Sequence, residues 1–242
     1  MKKLSDLKIL LLQIRQDPIV RQEELTSFAR HSNLNESQIK IHNVFDHPQF
    51  NLNIIEGHDA LFIGGASEAS VLEQEKYHFL ESSYKLIHHV VDKTIPTFAS
   101  CFGFQMAVMA FGGSIIKDII DFEMGTYPIF LNEDAKNDPI FRNVTSPFLA
   151  VSVHQEKALE LPDNCELLAY NDNCYQVFKV KQKPFWAFQF HPELDKKVLT
   201  QRLNIFKEKY TDNTEHFNYV IKSLKETPDA NILLKNFIST LL

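Results

Sequence analysis

The 242-residue sequence predicts a doubly wound, flavodoxin-like α/β fold with a mostly parallel sheet, a section of antiparallel strands and C-terminal helices. Three observations carry that expectation. Short, continuously apolar segments alternate with amphipathic ones up to Phe111, as buried parallel strands alternate with the helices that cover them. From Ser114 to Phe190 the segments become short and alternating, with turn residues between them, which is the pattern of antiparallel strands. Glycine is scarce: there are seven, about 3% of the chain against a usual ~7%, and all lie between Gly57 and Gly125. A chain so sparing with glycine keeps it where the backbone has no room for a side chain.

Each element follows from local rules. Residues 7–14 read as a buried strand because they are continuously apolar and short. Residues 18–31 read as a helix, with Asp17 as N-cap and Pro18 in the first turn. Strands are expected at 39–44, at 58–63 (ending at Gly64-Gly65) and at 95–99, and a long amphipathic helix at 71–92. A helix at 104–111 is stopped by Gly112-Gly113. The antiparallel section is expected at 127–131, 148–153, 166–170, 175–180 and 184–190, with Asn171-Asp172-Asn173 as one of its turns. Helices follow at 194–210, 214–225 and 229–241. Their apolar spacing favours packing on the core over a dimer or partner surface. No repeat or linker interrupts the sequence, so one domain over 1–242 is expected, with a core at about 7–195 and a helical extension at about 196–242.

Composition narrows the function. Hydrophobic residues make up 44% and charged residues 23%, as in an ordinary globular protein. A net charge of −6 and a pI of about 5.9 argue against nucleic acid as the main partner, since phosphate binding needs a basic surface. Cys101, Cys165 and Cys174 are an odd number without disulfide-like or zinc-like spacing. The apolar run at 9–12 is too short for a signal-peptide core or a membrane span, so a cytoplasmic protein with reduced thiols is expected. The histidines show no ligand spacing, and neither a metal nor a cofactor is expected.

The stretch Pro96-Thr97-Phe98-Ala99-Ser100-Cys101-Phe102-Gly103-Phe104-Gln105 ends a strand, presents one nucleophile and begins a helix. That is the geometry of a nucleophile elbow, with small residues two before and two after the cysteine. The helix points its positive end at the sulfur, which favours thiolate, and the Phe102 N–H is placed to donate to an oxyanion. Ser100 reads as a turn residue rather than a second nucleophile. At residues 190–193, Phe-His-Pro-Glu, a strand ends at His191 and places Glu193 at i+2, on the same side of an extended chain. Glu193 can then orient the ring while the other nitrogen faces a thiol. Gly64-Gly65 at a strand end lets backbone N–H groups approach a ligand closely.

Together these motifs resemble the class I glutamine amidotransferase domain, the family with a Cys-His-Glu triad, over roughly residues 7–195. The most specific elements are the Cys-x-Gly-x-Gln elbow (Cys101, Gly103, Gln105) and the Phe-His-Pro-Glu strand end. The likeness is to standalone members of the kind that serve as the glutaminase part of GMP synthase. The resemblance implies Cys101 as nucleophile, His191 as general base and acid, and Glu193 as its orienter. It implies an oxyanion hole from Gly64, Gly65 and Phe102, and substrate contacts from Gln105, Glu123, Gly125 and Thr126. The substrate it implies is glutamine or another γ-glutamyl small molecule. The sequence departs from the family pattern at Ala99, where glycine is usual, and at Ala66, where the loop often has proline. His154-Gln155 is expected to play a structural part beside the site. No Gly-x-x-x-x-Gly-Lys-Ser/Thr loop is present, so an ATP-dependent synthetase acting with this chain is expected on another chain, and a second copy of this chain is a further candidate partner. The alternatives are a γ-glutamyl peptidase and a catalytically silent regulatory subunit.

Overall fold

Strand β1 (Ile9–Gln13) is buried at every position and lies between two parallel neighbours, β2 (Ile39–Asn43) and β3 (Ala60–Ile63). A computed structural model describes residues 2–206 and 214–242. Beyond β3 the parallel run continues through β4 (Thr97–Ser100) to β11 (Phe185–Phe188). The sheet then turns antiparallel through β10 (Tyr175–Val180), β9 (Cys165–Tyr170), β6 (Glu123–Leu131) and β7 (Phe148–His154). A separate two-stranded ribbon pairs β5 (Ile116–Lys117) with β8 (Glu156–Lys157).

Because side chains alternate along a strand, each parallel strand feeds two cores. Ile9 and Leu11 join Phe62, Phe98 and Phe188 on one face, under α1 (Pro18–Ser32) and α6 (Pro228–Ser239). Leu10 and Leu12 join Ile63, Ala99 and Ala187 on the other, under α2 (Phe79–Asp92) and α3 (Phe102–Ala110). A third cluster packs α4 (Lys196–Ile205) and α5 (Thr214–Ser223) on Met124 and Val151 of the antiparallel part. Asp17 caps α1 as expected, accepting from the Ile19 and Val20 N–H groups. The last helix is core: Phe237 lies 5.5 Å from Phe98, 5.9 Å from Phe62 and 6.0 Å from Trp186, ring centre to ring centre.

The structure corrects several boundaries. The helix expected from residue 71 begins at Phe79; residues 71–78 form a loop. Tertiary contacts hold that loop against its helical periodicity: the Tyr77 hydroxyl donates to the Glu68 carbonyl, and the Ser70 hydroxyl donates to Glu156. Strand β6 starts at Glu123, four residues before the expected strand, because seven of its residues pair with β7 from there on. Helix α3 starts at Phe102, directly after Cys101. The end of the helix expected at Tyr210 lies outside the described residues. All three cysteines are free. Among the described residues, no helix is long and apolar enough to cross a membrane and no cluster of His, Cys, Asp or Glu could hold a metal ion.

Candidate active site

Cys101 is the single residue between β4 and α3, and its backbone is strained, at φ 49° and ψ −96°. Such a conformation costs a residue with a Cβ on the order of 1–3 kcal/mol and persists only where its surroundings over-determine it. They do so here. The Cys101 N–H donates to the Phe188 carbonyl at 2.7 Å, and its own carbonyl accepts from the Gln105 N–H at 3.1 Å. Gly103 has no room for a side chain: a Cβ there would stand 2.9 Å from Ile63 Cγ2 and 3.1 Å from the Ala99 Cβ. Helix α3 therefore starts hard against β4, with the Phe102 N–H at its first turn.

The second component arrives on the neighbouring strand. Phe188 of β11 pairs with Ser100, and three residues later the chain presents His191, whose N–H is tied to the Val151 carbonyl at 2.8 Å. His191 Nδ1 meets Glu193 Oε1 at 2.7 Å, and both side chains are buried. The Ser100 hydroxyl donates to Glu193 Oε2 at 2.6 Å. Ser100, expected only to shape the turn, thus ties the carboxylate to the elbow. Its position at the end of a buried strand, beside the nucleophile, was the available signal.

Electrostatics set the resting protonation. Burial pushes the His191 ring down from its ordinary value, so the imidazole is neutral at neutral pH. Burial pushes the Glu193 carboxyl up, but the His191 ring, the bonds from His191 and Ser100, and the Arg202 charge outweigh it and hold it at about 2. Burial pushes the Cys101 thiol up to about 12, with Arg15 pulling down and Glu193 pushing up. This departs from the expectation that the helix end and His191 together favour a thiolate. At rest the site holds a protonated thiol and a neutral imidazole.

The glycine pair after β3 touches the same group. The Gly64 N–H is not free for an oxyanion, because it donates to the Leu12 carbonyl at 3.0 Å. That removes Gly64 from the expected oxyanion donors and leaves Gly65 and Phe102. A Cβ on Gly65 would stand 2.8 Å from both His191 Cε1 and Arg15 Nη2. A Cβ on Gly64 would stand 2.8 Å from Glu24 Oε1. Arg15 and Glu24 form a buried ion pair at 2.9 Å, and Arg15 Nη1 donates to the Ser67 hydroxyl at 2.9 Å. Neither was expected at the site. Glu24 left a trace in the sequence, since it stands between Val20 and Phe28 in the apolar stripe of α1.

Cys101 opens into a cavity of about 280 Å³. Phe102, Gln105 and Glu123 line it, as do the 66–70 loop, His154, Gln155 and Glu156. Gln105 donates to the Glu156 carbonyl at 2.9 Å. On the far wall Glu123 is buried. It meets His154 Nε2 at 2.9 Å and accepts from Gln176 at 3.1 Å and from Asn171. Burial pushes Glu123 up, but these bonds keep it below the usual carboxylate range. Gly125 and Thr126, like Gly65 and His191, are not among the residues that line the cavity. Gly125 faces Leu224 and Val220 of the α5 side, and the Thr126 hydroxyl accepts from the Lys225 N–H.

Residues 29–210, more than half of the chain, match the family model described as glutamine amidotransferase class-I. A segment of 116 residues is 32% identical to a subunit of the glutamine-hydrolyzing GMP synthase of Methanococcus aeolicus, over 48% of this chain and 60% of that one. The same-named protein of Methanocaldococcus jannaschii is 29% identical over the same shares. The match spans less than two thirds of these relatives. The crystal structure of a glutamine amidotransferase from Thermotoga maritima superposes with a TM-score of 0.78 over 98% of both chains, at 17% identity, a likeness of fold.

Proposed function

Because the chain belongs to the class-I glutamine amidotransferase family, we propose that it hydrolyses the side-chain amide of glutamine through a thioester on Cys101. The observation that carries this reading is a cysteine on a strained elbow at the edge of the cavity, with a buried His191–Glu193 pair from the adjacent strand tied to that elbow through Ser100.

The chemistry follows from the protonation states. His191 takes the Cys101 proton as the sulfur attacks the amide carbon. Nδ1 is held by Glu193, so Nε2 is the nitrogen that works. The N–H groups of Gly65 and Phe102 are the donors for the oxyanion. Collapse of that intermediate breaks the C–N bond, with the proton on His191 going to the departing nitrogen to give ammonia. Water then attacks the γ-glutamyl thioester, with His191 as base, to release glutamate and restore the thiol. Glu193 never leaves its charged state; it fixes the ring and stabilises the imidazolium. Gln105 and Glu123 border the part of the cavity that takes the remainder of the substrate.

In this reading the ammonia passes to an acceptor on another chain, an ATP-dependent synthetase; what supports a partner chain is that the relatives are named as one subunit of a glutamine-hydrolyzing GMP synthase. A second reading, a hydrolase of larger γ-glutamyl amides, draws on the mouth of the cavity. Residues 71–78 are loop rather than helix there, and Glu73 and Lys76 join the lining.

The test is ammonia release from glutamine by the parent protein and by Cys101→Ala, with and without a synthetase partner. Turnover in the parent and its loss by more than about 10⁴-fold in the variant is the expected result. Turnover of γ-glutamyl dipeptides in place of glutamine selects the second reading.

A further inference from the structure

The buried Arg15–Glu24 pair is costly unless it does something its apolar neighbours could not. Two charges removed from water rarely stabilise a fold more than well-packed hydrophobic groups would. Both side chains are essentially unexposed, at 1% and 0%. The pair is built into the chain with care. The Arg15 carbonyl accepts from Asn43 at 2.8 Å and from Arg21 Nε at 2.9 Å, so the backbone that carries the guanidinium is fixed. Glu24 is fixed in turn by its place on the buried face of α1.

The location matters more than the bond. The guanidinium and the His191 ring approach Gly65 so closely that one Cβ on Gly65 would strike both. Glu24 lies as close against Gly64. From the same guanidinium, Nη1 reaches Ser67, which lines the cavity. Arg15 therefore meets the loop at Gly65 and Ser67 while its partner Glu24 meets it at Gly64, so the pair brackets the Gly65 N–H, the loop donor left for an oxyanion once Gly64 is committed to the sheet.

We propose that Arg15, held by Glu24, is a positioning residue for the reaction: it sets the 65–67 loop and holds a positive charge beside the anions that form at Cys101. The charges acting on the Cys101 sulfur are Arg15, Glu193, Arg202 and Glu156, and Arg15 is the largest of those that favour the anion. Arg202 of α4 is committed to Glu23. His191 is neutral at rest and contributes no charge until it takes the proton.

The turnover part of this inference rests on the glutamine-hydrolysis reading; the thiol part does not. Three variants separate charge from geometry: Arg15→Met, Arg15→Lys and Ser67→Ala, each checked for native circular dichroism. Iodoacetamide labelling at pH 8, located on Cys101 by peptide mass spectrometry, reads the thiol. A one-unit rise in its pKa lowers the thiolate about tenfold and makes what remains about threefold more nucleophilic, so Arg15→Met labels about threefold more slowly. Arg15→Lys keeps the charge and labels within about 1.5-fold of the parent. It loses the fork that spans Glu24 and Ser67, and its kcat on glutamine falls about tenfold at a KM within about twofold. Ser67→Ala lowers kcat a few-fold with labelling unchanged.

Parental labelling in folded Arg15→Met overturns the charge role. Parental kcat in both Arg15→Lys and Ser67→Ala overturns the loop role, and Arg15→Gln, uncharged but still able to donate, replaces Arg15→Met in the labelling test if the latter does not fold. If the parent turns over no glutamine, the proposed function falls, while the labelling ratio still decides what Arg15 does to the thiol.

Discussion

Two buried histidine–glutamate pairs stand near the cysteine and the cavity, His191–Glu193 tied to Ser100 next to Cys101 and His154–Glu123 in the cavity wall, and they are nearly the same object chemically. Both have one ring nitrogen within 3 Å of a carboxylate, and in both the carboxylate is held below its ordinary range. They differ in which nitrogen is spent. Glu193 takes Nδ1 of His191 and leaves Nε2, whereas Glu123 takes Nε2 of His154 and leaves Nδ1. They differ also in their remaining partners. Glu193 is bonded to Ser100, next to the nucleophile, while Glu123 is bonded to Asn171 and Gln176 of the antiparallel strands and their turn. In the proposed mechanism the first pair serves as a proton relay because of what stands beside it, and the second as a strut of the cavity wall.

Substitution at the two rings should separate them most. His191→Asn is expected to lower kcat by roughly 10³-fold or more with little change in KM, because no base remains for the thiol. His154→Asn should leave kcat within about tenfold and act mainly on the melting temperature. Equal losses of kcat would break that distinction. The carboxylates come next. Glu193→Gln should cost roughly 10²–10⁴ in kcat by admitting the wrong tautomer. Glu123→Gln should instead destabilise by about 1–3 kcal/mol, measured by urea unfolding, since it sets an amide against the donors of Asn171 and Gln176. A smaller effect is expected for Ser100→Ala, about tenfold in kcat, with the acid limb of the rate profile moved upward as Glu193 loses a donor.

Acid titration gives the smallest and most graded contrast. Both members of the His191–Glu193 pair have folded values below their unfolded ones, so each contributes stability at higher pH that is lost on acidification. The His191 part should begin to fade below about pH 6.5. The Glu193 part should fade from about pH 4.5 down to about 2, and it amounts to roughly 3 kcal/mol. Melting temperatures measured from pH 8 to 3 check this, and Glu193→Gln should remove the lower step. An unchanged lower step in that variant would assign it to other carboxylates.

The parallel half of the molecule was legible in the sequence because its strands are apolar on both faces and its helices carry caps, as Asp17 and Gly112-Gly113 do. The proposed catalytic residues stood out for a related reason. Cys101 directly follows a buried strand, and His191 and Glu193 follow another within five residues, although that strand ends at Phe188 and not at His191 as expected. What escaped was held by contacts between distant segments. The 71–78 loop has a helical pattern but is fixed by Glu68 and Glu156. Arg15 and Glu24 are charged residues that local rules place in water, and only their mutual contact explains their burial. Gly125 and Thr126 show the opposite failure. A family pattern pointed to the right segment, where Glu123 lines the cavity, but Gly125 stands near Val220 and Leu224 and Thr126 accepts from the Lys225 N–H, contacts made by α5 and the residues just after it, far along the chain.

The position of β11 also governs how the molecule comes together. This strand arrives late in the chain and inserts between β4 and β10, in the middle of the sheet. Until it docks, β4 has an open edge with unpaired N–H and carbonyl groups, among them the Cys101 N–H that ends on Phe188. Pairing across such sequence distance is slow, so the vulnerable species during folding is one with that gap still open, and intermolecular strand addition at β4 is its characteristic misstep. The same event carries His191 and Glu193 into place. On the proposed mechanism, a chain that has not closed its sheet has a cysteine without its base, so hydrolysis would require this central pairing.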